Sequence, residues 1–263
     1  MDSKGVVMTD HLVIFDMQVK PDSDLSHLPA IGNYIVRHQP EKIIVIGDWW
    51  DMHSLSSYDR GTKNAEGARY QDDIKAGIKA MAKMLRPVHF HNEHMKLMKK
   101  KQYQPEMHFT IGNHEERIMR HVNANPILEG TLGYHNLRLT EFGFTTHDFL
   151  TPVILDGVEY VHYVQNRNSK YAKSSSKASI EQTKVSVTQG HRPCLDVYTT
   201  WGDKQGMMWS ITCGSSYLDL EEFKKAQGNQ HWRGIVHKRN VKEGDFDPTF
   251  FRLSSLMEEY SDD

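Results

Sequence analysis

The chain has 263 residues, 38% of them hydrophobic and 25% charged, with a formal charge of -2, which excludes a strongly basic nucleic-acid binder and fits a folded protein with a sizeable core. Its apolar runs, such as residues 43–46, are far too short to cross a bilayer, and the opening Met-Asp-Ser-Lys-Gly has no signal-peptide character, so a cytoplasmic protein without membrane contact is expected. Two cysteines, Cys194 and Cys213, exclude a disulfide framework, whereas 16 histidines direct attention to metal ligation and near-neutral acid–base chemistry.

In chain order, residues 12–15 are a short apolar run ending at Asp16, and residues 23–37 read as a helix. Residues 43–46 form a second buried strand, ending at Gly47-Asp48. Ile74, Ile78, Met81 and Leu85 recur at helical spacing up to Pro87, which is expected to bend or end that helix, and the Lys-rich stretch to Lys101 is a candidate for another. Met107, Phe109 and Ile111 alternate in a strand that stops at Gly112-Asn113. Strands alternating with helices predict an α/β fold with a largely parallel sheet. The second half reads as hairpins: residues 153–155 and 158–164 about Asp156-Gly157, 198–201 and 207–212 about Gly202-Asp203, and 235–241 with 249–253. Residues 185–187 are a strand running into Gly190-His191, and the Ser/Lys-rich residues 166–179 are a surface loop. Neither an internal repeat nor a linker is evident, so residues 1–263 are read as one domain.

Polar residues collect where the strands end: Asp16 and Gln18 after the first, Asp48 and Asp51 after the second, Asn113, His114 and Glu115 after the third, His191 after a later one. His162 falls within the predicted hairpin strand. Ligands of open α/β sheets bind beyond the carboxyl ends of the strands, so these groups are expected to converge there. Asp and Asn oxygens with two imidazoles make a divalent-metal site. Taken singly, each residue has a plainer reading: an Asp after a strand is about as often a helix N-cap, and Gly-His is merely a turn. The ordered set is much harder to explain in that way.

That set, Asp16-Met17-Gln18, Gly47-Asp48-Trp49-Trp50-Asp51, Gly112-Asn113-His114-Glu115, His162 and Gly190-His191-Arg192-Pro193, resembles the ordered motifs of the calcineurin-like metallophosphoesterases. The family pattern is DxH, GDxxD, GNH(D/E), a lone His and GHxH. With the Gly-Asn-x-His-Trp-Arg-Gly segment at 228–234, the chain looks like the branch found in phage and prophage genomes. The resemblance implies a sandwich of two mixed β-sheets flanked by helices, holding two divalent metal ions. It implies that Asp48 bridges the metals and that Asn113, His162 and His191 complete the second site. Asp16 would hold the first, with Gln18 in place of the usual His. His114 would act at the leaving oxygen, with Glu115 orienting it, and Arg117 would meet a substrate phosphate.

Two departures affect the same metal. Gln18 and Pro193 stand where the family has imidazoles, leaving an oxygen-rich first site that favours Mn²⁺ or Mg²⁺ over Zn²⁺, with Asp51 or His53 as candidate supplements. The activity implied is phosphodiester hydrolysis, with a nuclease acting on DNA or RNA as the first reading. The alternatives are a nucleotide or cyclic-nucleotide phosphodiesterase or phosphomonoesterase, or a metal-binding regulatory protein. A phage-encoded enzyme would work in the bacterial host cytoplasm.

Lys170 and Lys173, with Arg167, Lys177, Tyr163 and Tyr171, follow His162 and are candidate polynucleotide contacts, against the plainer reading of a soluble loop. Lys96 and Lys99–Lys101 read as a solvated helix face. Trp49 and Trp50 either wall the pocket or pack beneath it, and His231, Trp232 and Arg233 are candidates to reach it. His89, His91 and His94 read as ordinary helix histidines, and Cys194 has no evident base.

Overall fold

The computed structural model describes residues 8–57, 61, 66–202, 206–219 and 231–261. Asp203 and the Gly228–Gln230 end of the segment at 228–234 lie outside the described residues. The chain is a mixed α/β protein with two mixed sheets flanked by helices. The first sheet contains β1 (Thr9–Ile14), β2 (Lys42–Val45), β3 (Glu106–Thr110) and β4 (Thr145–His147), all parallel. Its other edge is the antiparallel pair β10 (Gly234–Lys242) and β11 (Asp245–Arg252), giving the order β11-β10-β1-β2-β3-β4. The second sheet has the order β5-β6-β7-β9-β8, from β5 (Val153–Leu155), β6 (Val158–Tyr160), β7 (Ser186–Gln189), β8 (Leu195–Gly202) and β9 (Gly206–Cys213).

Strand alternation sets the layers. Leu12, Ile14, Ile43 and Val45 join the core under the helices, whereas Val13, Phe15, Ile44 and Ile46 face Leu155, Val158, Tyr160 and Ile211 of the second sheet. A polar network crosses that inter-sheet core. The fully buried Lys238 ammonium donates to the Thr188 hydroxyl and to the Tyr160 hydroxyl (3.3 Å), between the rings of Tyr160 and Phe246. Tyr160 in turn meets His11 (2.7 Å), whose other nitrogen meets Asp156 (2.8 Å).

The predicted Asp156-Gly157 hairpin is present, with both turn residues at positive φ. The hairpin at 198–212 is present with longer strands than read from the sequence. The third hairpin forms too, but joins the first sheet beside β1.

The helices differ more. Helix α1 (Leu28–His38) starts five residues later than expected, because Pro29 suits the first turn of a helix and Asp24 closes a turn by accepting from the Ser26 N–H. Helix α2 (Tyr70–Leu97) continues past Pro87, so it does not end there, and Lys96 lies in its last turn. A proline inside a helix costs about 3 kcal/mol. Packing offsets it: Ile74, Met81, Met84, Leu85 and Val88 are buried on both sides of Pro87, whose ring lies against α1 at Gly32. A Cβ at Gly32 would stand 2.2 Å from the Met84 carbonyl oxygen and 2.8 Å from Pro87 Cδ, so glycine is what lets the two helices touch. Helices α3 (Glu116–Ala124), α4 (Ser176–Thr183) and α5 (Leu253–Tyr260) complete the described helices. Among the described residues, no helix is long and apolar enough to cross a membrane.

Candidate metal centre

The residues read as ligands lie beyond the strand ends, and Asp48, Asn113, His162 and His191 come together there. Asp16 follows β1, Asp48 follows β2, Asn113 follows β3 and His191 follows β7. His162 is not inside a strand as the sequence suggested: β6 stops at Tyr160, and His162 sits just past it like the others. Asp16, Gln18, Asp48 and His191 all have left-handed backbone (φ 31°, 46°, 49° and 67°), as does Gly47. Such a conformation costs a non-glycine residue about 1–3 kcal/mol and gathers at functional sites. Gly112 is required by close approach, since a Cβ there would fall 2.2 Å from both Asp48 N and Asp48 Oδ1.

The donors crowd one point. Asn113 Oδ1 is 2.9 Å from His162 Nε2 and 2.7 Å from His191 Nδ1, and Asp48 Oδ2 is 3.3 Å from His162 Nε2. Asp48, His162 and His191 each place a ligand atom within 4.8 Å of the others. The His162 Nδ1–H donates to the Ile46 carbonyl (2.9 Å), which turns Nε2 toward the Asn113 and Asp48 oxygens. Separations of ~3 Å are those between adjacent ligands around an ion held at ~2.1 Å. The residues therefore fit a divalent metal.

Neighbouring charges set the protonation of each group. Burial opposes charge on His162, yet the Asp48 carboxylate beside it lifts its pKa to about 9. Burial and the nearby His162 charge push His191 down to about 4, which keeps its lone pair free near neutrality. Burial would raise Asp48, but the imidazoles of His114 and His162 hold it well below the usual carboxylate range. Burial lifts Asp16 to about 7, with the Asp48 charge adding to it. The Asp16 side chain accepts from the His191 backbone N–H (3.0 Å), and its carbonyl accepts from Ser216 N–H (3.1 Å).

His114 stands next to this cluster, its Nε2 3.7 Å from Asp48 Oδ2. Its Nδ1–H points to Asp51, reaching Oδ1 and the carbonyl oxygen at 2.8 Å each. Burial works against a charge on His114, but Asp48 and Asp51 raise its pKa above the ordinary value. Asp51, not Glu115, thus orients the ring, while also meeting Lys20 (3.2 Å) and donors from Arg117. The Glu115 carboxylate instead accepts from the backbone N–H groups of Asp48, Trp50 and Gly112, at 2.9 Å each. It clamps two ligand-bearing loops together. Arg117 donates to the carbonyls of Asp51 and Met52 and comes within 3.4 Å of His114 Nε2.

Gln18 donates its backbone N–H to the Asp48 carbonyl (2.8 Å), and its side chain is half-buried. The Pro193 carbonyl accepts from Trp232 N–H (3.1 Å). His53 pairs with buried Asp73 (2.8 Å), and Asp51 is engaged by His114. Trp49 and Trp50 are fully buried, donating to the carbonyls of Gly77 and Ile74, and pack beneath the centre rather than walling it. Lys170 and Lys173 lie on the loop after His162. Lys170 is exposed beside the Tyr171 ring, and the Lys173 N–H donates to the Val164 carbonyl. Arg192 fastens the end of that loop by donating to the Ser174 carbonyl, and also meets Asp196 and Thr212. Trp232 stacks near Phe15, and His231 meets the Tyr217 hydroxyl (2.7 Å). The run Lys99–Lys101 lies at the far end of α2, about 40 Å of helix from the loops of the centre. His89 and His94 are exposed and His91 is half-buried on the same helix.

Sequence reasoning missed the role of Asp51 and the platform of Tyr163 beside His191. The signal for Asp51 was its place in the Gly47–Asp51 motif, three residues after Asp48.

No known family's sequence profile matches the chain. It is similar to the Gene 54 protein of Mycobacterium phage L5, at 24% identity over 213 residues and 78% of each chain. One solved structure aligns over 93% of this chain and 100% of its own, with 10% identity and a TM-score of 0.36. Another, TT1561 of Thermus thermophilus, aligns over 94% of this chain and 100% of its own, with 6% identity and a TM-score of 0.35. Superpositions this loose carry no argument.

Proposed function

We propose that the chain is a metal-dependent phosphoesterase of the calcineurin-like kind that hydrolyses phosphodiester bonds, with DNA or RNA as its substrate. The observation that carries this is the meeting of Asp48, Asn113, His162 and His191 donors beside an imidazole, His114, that is not one of them. Two divalent ions, with Mn²⁺ favoured at the oxygen-rich first position, would neutralise the phosphate and activate water. Asp48 would serve both positions, and Asp16 the first. Asp51 holds His114 by its Nδ1–H, leaving Nε2 to protonate the leaving oxygen. Arg117, fixed by two carbonyls, would face a substrate phosphate. The cationic loop with Lys170 and Lys173 supports a polynucleotide substrate.

The loss of imidazoles at Gln18 and Pro193 also favours a second reading, a metal-binding regulatory protein with a weakened first site. Hydrolysis separates the two. The chain should cleave bis-p-nitrophenyl phosphate with Mn²⁺, stop on chelation and recover on adding Mn²⁺, and Asp48→Asn should abolish turnover. His114→Ala should cost ~10²–10⁴-fold on a dinucleotide, whose alkoxide leaving group needs a proton, and much less on the nitrophenyl ester. Absence of turnover with Mn²⁺, Mg²⁺ or Zn²⁺ on either substrate would sink the hydrolase reading and leave the regulatory one.

A further inference from the structure

Beside the metal ligands runs a short aromatic track that the hydrolytic chemistry does not use. Tyr163 follows His162 directly and packs its ring against His191 (centroids 4.6 Å, 42° between planes) and edge-on to His162 (5.6 Å). Phe149 meets Tyr163 edge-to-face at 5.8 Å. The Arg120 guanidinium lies over the Phe149 ring, 5.9 Å from its centroid. Tyr163 is buried, Phe149 half-buried and Arg120 exposed, so the track leads from the ligands outward to solvent. Phe149 is partly buried against the core, which fixes the ring.

Rings and a planar cation in series are the elements on which nucleobases stack without regard to sequence. Arg120 lies one turn along α3 from Arg117 and would add a cation near the adjoining phosphate. We propose that Phe149 and Arg120, backed by the buried Tyr163 ring, form a base-stacking subsite for the nucleotide whose phosphate occupies the metal centre. The inference rests on the phosphoesterase reading for the position of that phosphate, and it makes the ligand a nucleotide, not a sugar phosphate or a phosphoprotein. A merely structural track would support His191 and give no preference for a base.

The test is binding. AMP and ribose 5-phosphate, which carry the same phosphate with and without a base, are titrated calorimetrically into the Mn²⁺-loaded chain. AMP should bind at least about tenfold more tightly. Phe149→Leu, which keeps the core contact and loses the ring, should cut that ratio to about threefold or less while leaving ribose 5-phosphate affinity unchanged. Arg120→Gln, at the surface, should lower the ratio a few-fold even if Phe149→Leu fails to fold. Equal affinities in the wild type, or a ratio unchanged in the variants, would overturn the subsite. Turnover without the ratio would overturn the subsite alone, and the ratio without turnover would overturn only the hydrolase. Failure of both ligands to bind would overturn both.

Discussion

Lys238 is the residue whose surroundings least resemble its chemistry. It is fully buried, its only described polar partners are two hydroxyl groups, and burial pushes its pKa down to about 7. A folded-state pKa below the unfolded value of 10.5 means that the unfolded chain holds more protons between pH 7 and 10.5. This residue's contribution to stability therefore rises with pH across that window, and is at its least favourable below it. Lys238→Met should stabilise the chain by about 1–4 kcal/mol at pH 6.5, with the advantage shrinking toward pH 9.5. Urea unfolding of both proteins at the two pH values checks this, and a pH-independent difference would mean that the amine is not desolvated. The sequence offered no hint of this residue, since a lysine in a strand reads as an outward-facing one. The candidate metal residues were legible for the opposite reason. Each lies in a short motif directly after an apolar run, so local order alone carried Asp16, Asp48, Asn113 and His191 to one end of the sheets. The exchange of roles between Asp51 and Glu115 was not legible, because it depends on which carboxylate reaches the ring and which the backbone.

At the level of elements, periodicity identified most strands and failed at helix limits. Pro87 was read by its local rule, and a contact with another helix overrode that rule. The short strand β4 and the place of the β10–β11 pair depend on distant partners and left no local trace. The contact between α1 and α2 makes a signed prediction. Glycine to alanine in a helix ordinarily gains up to about 1 kcal/mol. Gly32→Ala should instead lose about 2–3 kcal/mol, because the new methyl meets the Met84 carbonyl and the Pro87 ring and drives the helices apart. Denaturant midpoints at unchanged m-value would show it. A variant as stable as the wild type would mean that the helices do not meet at Gly32.

For the molecule as a whole, the centre spans a boundary. Asp16, Asp48 and Asn113 follow strands of the first sheet, and His162 and His191 follow strands of the second. A bound cation would cross-link the two layers. Mn²⁺ at a hundred times its Kd should add about 2.7 kcal/mol, some 5–10 °C in Tm. Amide exchange should slow in β6 and β7 as well as in β1 to β3, and Asp48→Asn should lose both effects. Protection confined to one sheet would mean that the ion is held by that sheet alone.

The place of β10 has a consequence in time. Strand β1, near residue 9, has β2 on one side and β10, beyond residue 233, on the other. During synthesis at about 5–20 residues per second, β1 waits roughly ten to fifty seconds for that neighbour. Through that interval its apolar sequence Leu12-Val13-Ile14 lies at an open sheet edge, available to another nascent chain. Ribosomes stalled before residue 234 should thus yield aggregating or chaperone-bound chains even when every residue of the metal centre has already been made.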